Sequence, residues 1–230
     1  MKKIRIHSEA AYAVSMIVLS LAVAMIAATN YGVSMIVAPA YILSLKVPFL
    51  TFGQAEYVVQ GLLFIVFCLV MKKIKPIYFT AFLTGVIYGA ILDIWRTVIP
   101  HFDPNVTVPG ALPIPVKITY FVLGTVLTSF SVALSFKTYF YPQVYDFFVK
   151  GVSGKMGVDR GRFKSVFDFC SLAVSLIMTL LLFRGIKGVG IGTVIMTCVN
   201  GVLIGFFDRF FDRHVDFVPA FGRFSKLFEI

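Results

Sequence analysis

Several polar and ionisable side chains lie inside long apolar segments of this chain. Asp168 and Gln60 each lie near the start of such a segment, and Glu56 and Arg162 stand somewhat nearer to the segment ends. An ionisable group in hydrocarbon costs from about 2.5 to more than about 10 kcal/mol, so its presence indicates a function. These side chains predict a polar binding site or gate. The alternative is that Asp168 and Arg162 only mark a membrane interface.

Other polar residues near the same segment ends complete the candidate site. A site built from buried polar groups selects strongly for a matching solute, because other solutes leave those groups unpaired. Its carboxylates, amides and guanidinium favour a polar or zwitterionic solute. Asn200, deep in an apolar segment, is predicted either to bridge two helices or to line the site. The predicted binding residues are Asn30, Ser34, Gln54, Glu56, Gln60, Gln143, Asp146, Arg162, Asp168 and Asn200.

Two further carboxylates, Asp93 and Asp208, follow the ends of apolar segments. The C-terminus of a helix favours cations, so a carboxylate gains nothing from the helix dipole there. Ion pairs with the nearby Arg96 and Arg209 are one interpretation. The other is that these carboxylates couple transport to a proton or a cation.

The sequence contains no pattern typical of a soluble enzyme. The three histidines are isolated, no Ser-His-Asp or Cys-His arrangement is visible, and there is no Walker motif for ATP. The glycines from Gly185 to Gly192 resemble a dinucleotide fingerprint only superficially, because no strand precedes them. Acidic residues from Asp208 to Asp216, with His214 among them, have basic neighbours that disfavour a metal. We therefore expect no enzyme activity, cofactor or metal.

The composition is that of an integral membrane protein. The chain has 230 residues, of which 59% are hydrophobic and only 14% charged, and its mean hydropathy is +0.91. About 20 mostly apolar residues are needed to cross a bilayer as a helix. The three cysteines lie inside apolar runs and imply no disulfide. The predicted spans are Ala10 to Ala28, Ala55 to Met71, Ile77 to Leu92, Ile118 to Phe136, Val166 to Phe183 and Val189 to Phe207.

The basic residues predict the orientation of these spans. With the N-terminus inside, sixteen of the 21 Lys and Arg residues fall in inner segments and five in outer ones, and basic residues are retained on the cytoplasmic side. Both termini are therefore predicted to be cytoplasmic. The net charge of +10 then reflects topology and attraction to anionic lipid head groups rather than nucleic-acid binding. Phe206–Phe217 is predicted to form an amphipathic helix along the inner interface.

The two halves of the chain resemble each other. Ser20–Thr29 aligns with Ser129–Thr138 at an offset of 109 residues. Chance similarity between apolar segments is the alternative explanation. Each repeat has three spans, an odd number, so the second copy would be inverted in the membrane, as in many secondary transporters. Further matching pairs are Gly53 with Gly161, Val58 with Val166, Gln60 with Asp168, Gly85 with Gly201, Gly89 with Gly205, and Asp93 with Asp208.

A short, Gly- or Pro-interrupted apolar segment follows the first span of each repeat. These segments, Asn30–Tyr41 and Tyr139–Phe148, are too short to cross a bilayer, and we expect short re-entrant or interfacial helices that flank a cavity. The predicted fold is an all-α membrane protein with six transmembrane helices in two inverted three-helix repeats. Residues 1–116 form the first repeat, 117–210 the second, and 211–230 a cytoplasmic tail.

Three motifs resemble the YczE-like family of bacterial membrane proteins and, more distantly, the YitT group. They are Thr51-Phe52-Gly53, the Gly188–Thr193 run, and Gly201 to Gly205 followed by Asp208. The resemblance covers nearly the whole chain and implies a six-span bacterial plasma-membrane protein related to transport, without naming a substrate. The chain departs from the family at Tyr139–Gln143, where the family more often has a glycine-rich segment.

The function predicted from the sequence is transport of a small polar or zwitterionic solute by alternating access between the repeats. One alternative is a substrate-capture subunit of a larger ATP-driven importer, docked through small residues such as Ala24 and Ala28. Another is a scaffold that transports nothing, and an intramembrane enzyme ranks last. The expected partners are the solute, membrane lipid with anionic head groups, and a possible second copy of the chain.

Overall fold

The structure is a computed structural model and describes residues 3–72 and 75–225. Six of its helices are long and apolar enough to cross a membrane, which confirms the predicted number of spans and makes the chain an all-α membrane protein. The six long helices are α1 Ser8–Thr29, α3 Phe52–Met71, α4 Phe79–Val98, α5 Ile114–Phe136, α7 Arg160–Phe183 and α8 Ile191–His214. The smaller elements are β1 Ile4–His7, α2 Ala38–Lys46, a 3-10 turn Pro76–Tyr78, α6 Val144–Met156, β2 Val215–Val218 and α9 Gly222–Ser225.

Helices α3 and α7 begin with the same type of N-terminal cap, 108 residues apart. The hydroxyl of Thr51 accepts a hydrogen bond from the backbone N–H of Gln54, and the Gln54 side chain accepts from the Thr51 N–H in return. Asp159 likewise accepts from the backbone N–H of Arg162. Such caps satisfy the free N–H groups of a first helical turn. They start both helices earlier than the predicted spans.

Each short helix begins within the segment predicted to form it and ends beyond that segment. Asn30 ends α1, Gly32 has a φ of 99°, and α2 begins only at Ala38. In the second half, Gln143 has a φ of −52° and a ψ of 160°, outside the helical region, and α6 begins at Val144. The two connections thus contain one short helix each, as expected, but of 9 and 13 residues.

The order of long, short, long and long helices occurs twice, and most packing follows that order. Helices α1 and α5 pack against each other at the centre, where Gly124 allows close approach to the Ala22 carbonyl. The contact between α1 and α4 corresponds to the contact between α5 and α8. In the same way, α2–α3 corresponds to α6–α7, and α3–α6 corresponds to α7–α2. The correspondence fails most clearly for one pair. Helix α3 packs along α4, whereas α7 has no such packing with α8 among the described residues.

Both ends of the described chain lie at the same end of the helix bundle. Strand β1 pairs in parallel with β2, with Ile4 opposite Val215. The start of α1 and the end of α8 are therefore neighbours, as an even number of spans requires. The predicted amphipathic helix was wrong from Val215 onward, because these residues pair with β1 instead. Residues 226–230 of the predicted tail lie outside the described residues.

Candidate functional site

A cavity of about 480 Å³ opens where α7 diverges from α8. Small-molecule sites have volumes of about 300–1,000 Å³, so this cavity is large enough for a small solute. Helices α1, α4, α5, α6, α7 and α8 all contribute to its wall. The polar lining residues are Ser34, Tyr88, Thr128, Ser135, Gln143, Tyr145, Asp146, Lys164, Ser165, Asp168, Thr197 and Asn200.

Glycines at matching positions show why the cavity opens on one side only. A β-carbon built on Gly53 of α3 would collide with the carbonyl oxygen of Gly89 on α4, so these helices are in close contact. The matching glycines of the second half are Gly161, Gly201 and Gly205. A β-carbon on Gly201 or Gly205 would meet no described atom within 4 Å, and one on Gly161 would meet only Asp159. The closed α3–α4 contact therefore has an open counterpart between α7 and α8.

The start of α8 closes the opposite end of the cavity. The backbone N–H of Gly192 donates to the carbonyl oxygen of Tyr31 over 2.8 Å, and the Thr193 hydroxyl donates to that of Val33 over 2.7 Å. A β-carbon on Gly190 would stand 2.5 Å from the Tyr31 carbonyl oxygen. Backbone packed this closely leaves no passage between α8 and the segment after α1.

An acidic cluster with one lysine lies at the open side of the cavity. The ammonium of Lys164 is 3.3 Å from a carboxylate oxygen of Asp146 and 3.6 Å from one of Asp168. Two carboxylates and one ammonium give the cavity wall a formal charge of −1. Within the described residues, no three His, Cys, Asp or Glu side chains lie close enough to hold a metal ion.

Two hydroxyls in the cavity wall are buried and have no hydrogen-bond partner among the described residues. They belong to Tyr88, which is 1% exposed, and Thr128, which is 8% exposed. Leaving a buried polar group unsatisfied costs about 1–3 kcal/mol. These hydroxyls are therefore free to bond a solute or water in the cavity.

A buried polar network lies next to the cavity and joins the two halves. The Gln60 amide donates to Glu56 over 3.0 Å and to Gln143 over 3.2 Å. The Tyr145 hydroxyl donates to the same Glu56 oxygen over 2.9 Å. Glu56 and Gln60 are fully buried, while Gln143 and Tyr145 also line the cavity. The network fixes α6 on α3 and forms part of the support of the cavity wall.

The predicted site residues divide into three groups. Ser34, Gln143, Asp146, Asp168 and Asn200 line the cavity. Asn200 also accepts a hydrogen bond from Ser129 over 3.3 Å, so it bridges two helices as well as lining the site.

The second group, Glu56 and Gln60, belongs to the buried network. The third group lies away from the cavity. Asn30 ends α1 in the left-handed conformation, with a φ of 57°. Gln54 caps α3, and Arg162 is exposed in the first turn of α7.

The two carboxylates considered for coupling have partners other than the arginines that the sequence suggested. Asp93 accepts hydrogen bonds from the Thr51 hydroxyl over 2.5 Å and from the Gly53 N–H over 2.8 Å. Asp208 lies 2.7 Å from the ammonium of Lys137 on the helix next to it. Asp93 thus holds the start of α3 against the end of α4, and Asp208 instead bonds to the end of α5.

Sequence reasoning missed Lys164 and Tyr88. The four-residue spacing of Lys164 and Asp168 places both on one helix face and is the signal that could have indicated their ion pair. Tyr88 lies between Gly85 and Gly89, a position that suggested only helix packing. No sequence signal shows that its hydroxyl meets a cavity.

Six long apolar helices, five of which line a mostly apolar cavity with a few charged and polar groups, define a class of multi-span α-helical membrane proteins. Within it, the family described only as a family of unknown function, DUF6198, matches residues 6–209, so the chain belongs to that family. No curated protein and no solved structure gives a significant match. The family match does not connect the chain to the YczE-like or YitT groups, and that resemblance stays a prediction.

Proposed function

We propose that this protein transports a small polar solute across the membrane by alternating access between two inverted repeats. The observation that carries the proposal is the difference between two matching helix pairs. Helix α3 is closed on α4 through Gly53 and Gly89, while α7 and α8 stand apart beside a mostly apolar cavity that also holds charged and polar groups. Transporters with inverted repeats alternate by exchanging such conformations between their halves.

The proposed second state follows from the repeat. Three spans per half place the start of α3 and the start of α7 on opposite sides of the membrane. Closing α7 on α8 would bring Gly161 against Gly205, as Gly53 meets Gly89 in this structure. Opening α3 from α4 would then expose the cavity to the other side. The solute would be bound from one side and released on the other.

The basic residues assign the sides in this proposal. Sixteen of the 21 Lys and Arg residues fall in the segments predicted to be inner. The end of the bundle where α7 begins is therefore proposed to face the cytoplasm. The two described chain ends, paired as β1 and β2, lie there too. The structure then corresponds to a state open to the cytoplasm, in a bacterial plasma membrane.

A disulfide test asks whether the open helix pair can close. The natural cysteines Cys68, Cys170 and Cys198, all free, are replaced by alanine, and Gly161→Cys is combined with Gly205→Cys. Both positions have room for a side chain. We expect an intramolecular disulfide to form on oxidation of the protein in lipid vesicles.

The matched control pairs Gly205→Cys with Val166→Cys. Val166 is 61% exposed and lies five residues along α7 from Gly161, about 140° around the helix. This pair should remain uncrosslinked when α7 closes. A substrate-capture subunit or a scaffold does not require α7 to close on α8, whereas the proposed transporter does. Failure of the Gly161→Cys and Gly205→Cys pair to crosslink would therefore contradict the transport proposal.

A further inference from the structure

We propose that the solute of this cavity is an organic cation, an ammonium group on an apolar body, which binds at Asp168 and Asp146 in competition with Lys164. The inference rests on the proposed solute site and narrows its chemistry from polar or zwitterionic to cationic. Lys164 occupies the acidic pair when the cavity holds no solute.

The charges of the cavity wall carry the first step. Asp146 and Asp168 share the single ammonium of Lys164, at 3.3 and 3.6 Å. Hydrogen bonds between an ammonium and a carboxylate are about 2.7–2.9 Å long, so Lys164 bonds neither carboxylate at full strength. The wall keeps a formal charge of −1, which attracts a cation and repels an anion.

The unpartnered hydroxyls provide a second, independent observation. Tyr88 is 1% exposed, lines the cavity and has no hydrogen-bond partner among the described residues, and the same holds for Thr128 at 8% exposure. Each hydroxyl oxygen can accept a hydrogen bond from an N–H group. A solute ammonium has three such donors and can bond to a hydroxyl oxygen as well as to a carboxylate.

The rest of the wall favours an apolar body on the solute. The apolar lining includes Met16, Leu19, Val23, Val132 and Met196. A small hydrated inorganic cation would leave this surface facing water. An amine with a hydrophobic group buries it, at about 25 cal/mol per Å² of apolar area. The volume of about 480 Å³ is sufficient for a ring and a short chain.

Binding of radiolabelled phenethylamine to the purified protein tests the inference. Unlabelled phenethylamine, 2-phenylethanol and 3-phenylpropionate have similar shapes and carry a positive, no and a negative charge at pH 7. We expect phenethylamine to bind, and only the unlabelled amine to displace it effectively. Binding of the alcohol or the acid as tightly as the amine would overturn the cationic assignment while leaving a solute site intact.

Two neighbouring substitutions should act in opposite directions. Asp168→Asn should weaken phenethylamine binding about tenfold to hundredfold, the range for one charged hydrogen bond. Lys164→Met should tighten it, because the competing ammonium is gone. Asp216→Asn, a matched change at a side chain that is 53% exposed and outside the cavity wall, should leave binding unchanged. Misfolding cannot produce a gain, so tighter binding in Lys164→Met supports the competition. Unchanged or weaker binding by folded, monodisperse Lys164→Met protein overturns it.

The ammonium could belong to a soluble amine or to an ethanolamine lipid head group. Nanodiscs of phosphatidylglycerol with and without phosphatidylethanolamine distinguish these sources. We expect the same phenethylamine affinity in both, as for a soluble amine. If phenethylamine affinity is lost only in the nanodiscs that contain phosphatidylethanolamine, the site recognises an ammonium group, and the lipid head group is the source of that group. No phenethylamine binding in either nanodisc would overturn the inference, whereas the α7–α8 disulfide tests transport separately.

Discussion

Gly53 of α3 and Gly89 of α4 lie so close that a β-carbon built on Gly89 would stand 2.8 Å from the carbonyl oxygen of Gly53. Their counterparts in the second half, Gly161 and Gly205, lie on helices that do not pack along each other among the described residues. The same residue types thus form a closed contact in one half and stand apart in the other. In the proposed transport cycle, the two halves would exchange these conformations.

Gly53 and its counterpart Gly161 should differ in how far an added methyl group destabilises the protein. Gly53→Ala should destabilise the protein by about 1–3 kcal/mol, because the new atom meets the Gly89 carbonyl oxygen. Gly161→Ala should not, since the nearest described atom to its β-carbon is 3.4 Å away. Thermal unfolding followed by circular dichroism in one detergent measures both. Equal losses of stability in Gly53→Ala and Gly161→Ala would contradict the difference in packing between α3–α4 and α7–α8.

The buried network predicts that Gln60 and Gln143 act as a pair. Gln60→Leu should cost about 1–3 kcal/mol of stability, because Glu56 loses a hydrogen-bond donor in a fully buried position. A double-mutant cycle with Gln143→Leu should give a coupling energy of about 0.5–3 kcal/mol. Asp168→Leu is the contrasting variant, because Asp168 lines the cavity and should be dispensable for stability. Additive effects of the two glutamine substitutions would rule out the direct Gln60–Gln143 bond.

Lys137 is expected to favour the open conformation of α7 and α8. Its ammonium lies 2.7 Å from Asp208 and 2.7 Å from Asp212, both on α8. By the repeat, Asp208 would meet the start of α7 on closure, as Asp93 meets Gly53. An exposed pair contributes up to about 1 kcal/mol, so Lys137→Met should speed the Gly161–Gly205 disulfide severalfold. An unchanged or slower rate would show that Lys137 does not hold α8 open.

The closed end of the cavity depends on one hydroxyl. Thr193 donates to the Val33 carbonyl oxygen over 2.7 Å and accepts from the Gly190 N–H over 3.2 Å. Thr193→Val keeps the shape and should cost about 1–3 kcal/mol, since two buried groups lose a partner. Thr197→Val is the control, because its hydroxyl donates only within α8, to the Thr193 carbonyl oxygen. Equal losses of thermal stability in the two variants would contradict this role of the Thr193 hydroxyl.

Hydropathy was sufficient to predict the six spans. The polar residues inside apolar segments included Asp168 and Asn200, which line the cavity, although the sequence left other positions open for both. Hydropathy and repeat matching could not predict that Gln60, the counterpart of Asp168, lies in a closed interface against Gly85. Matching sequences are compatible with either conformation, so a pattern does not tell which half is closed. The short pairing of β1 and β2 also escaped prediction, because four-residue strands far apart in sequence leave no periodic signal.

Labelling of a cysteine in the cavity wall from both sides of the membrane tests alternating access most directly. Thr197→Cys in the cysteine-free protein is exposed to a membrane-impermeant maleimide in sealed vesicles of either orientation. We predict labelling from both sides, and loss of labelling from the side where α7 begins once the Gly161–Gly205 disulfide has formed. Labelling from that side alone, or labelling from both sides that the disulfide leaves unchanged, would contradict transport by alternating access.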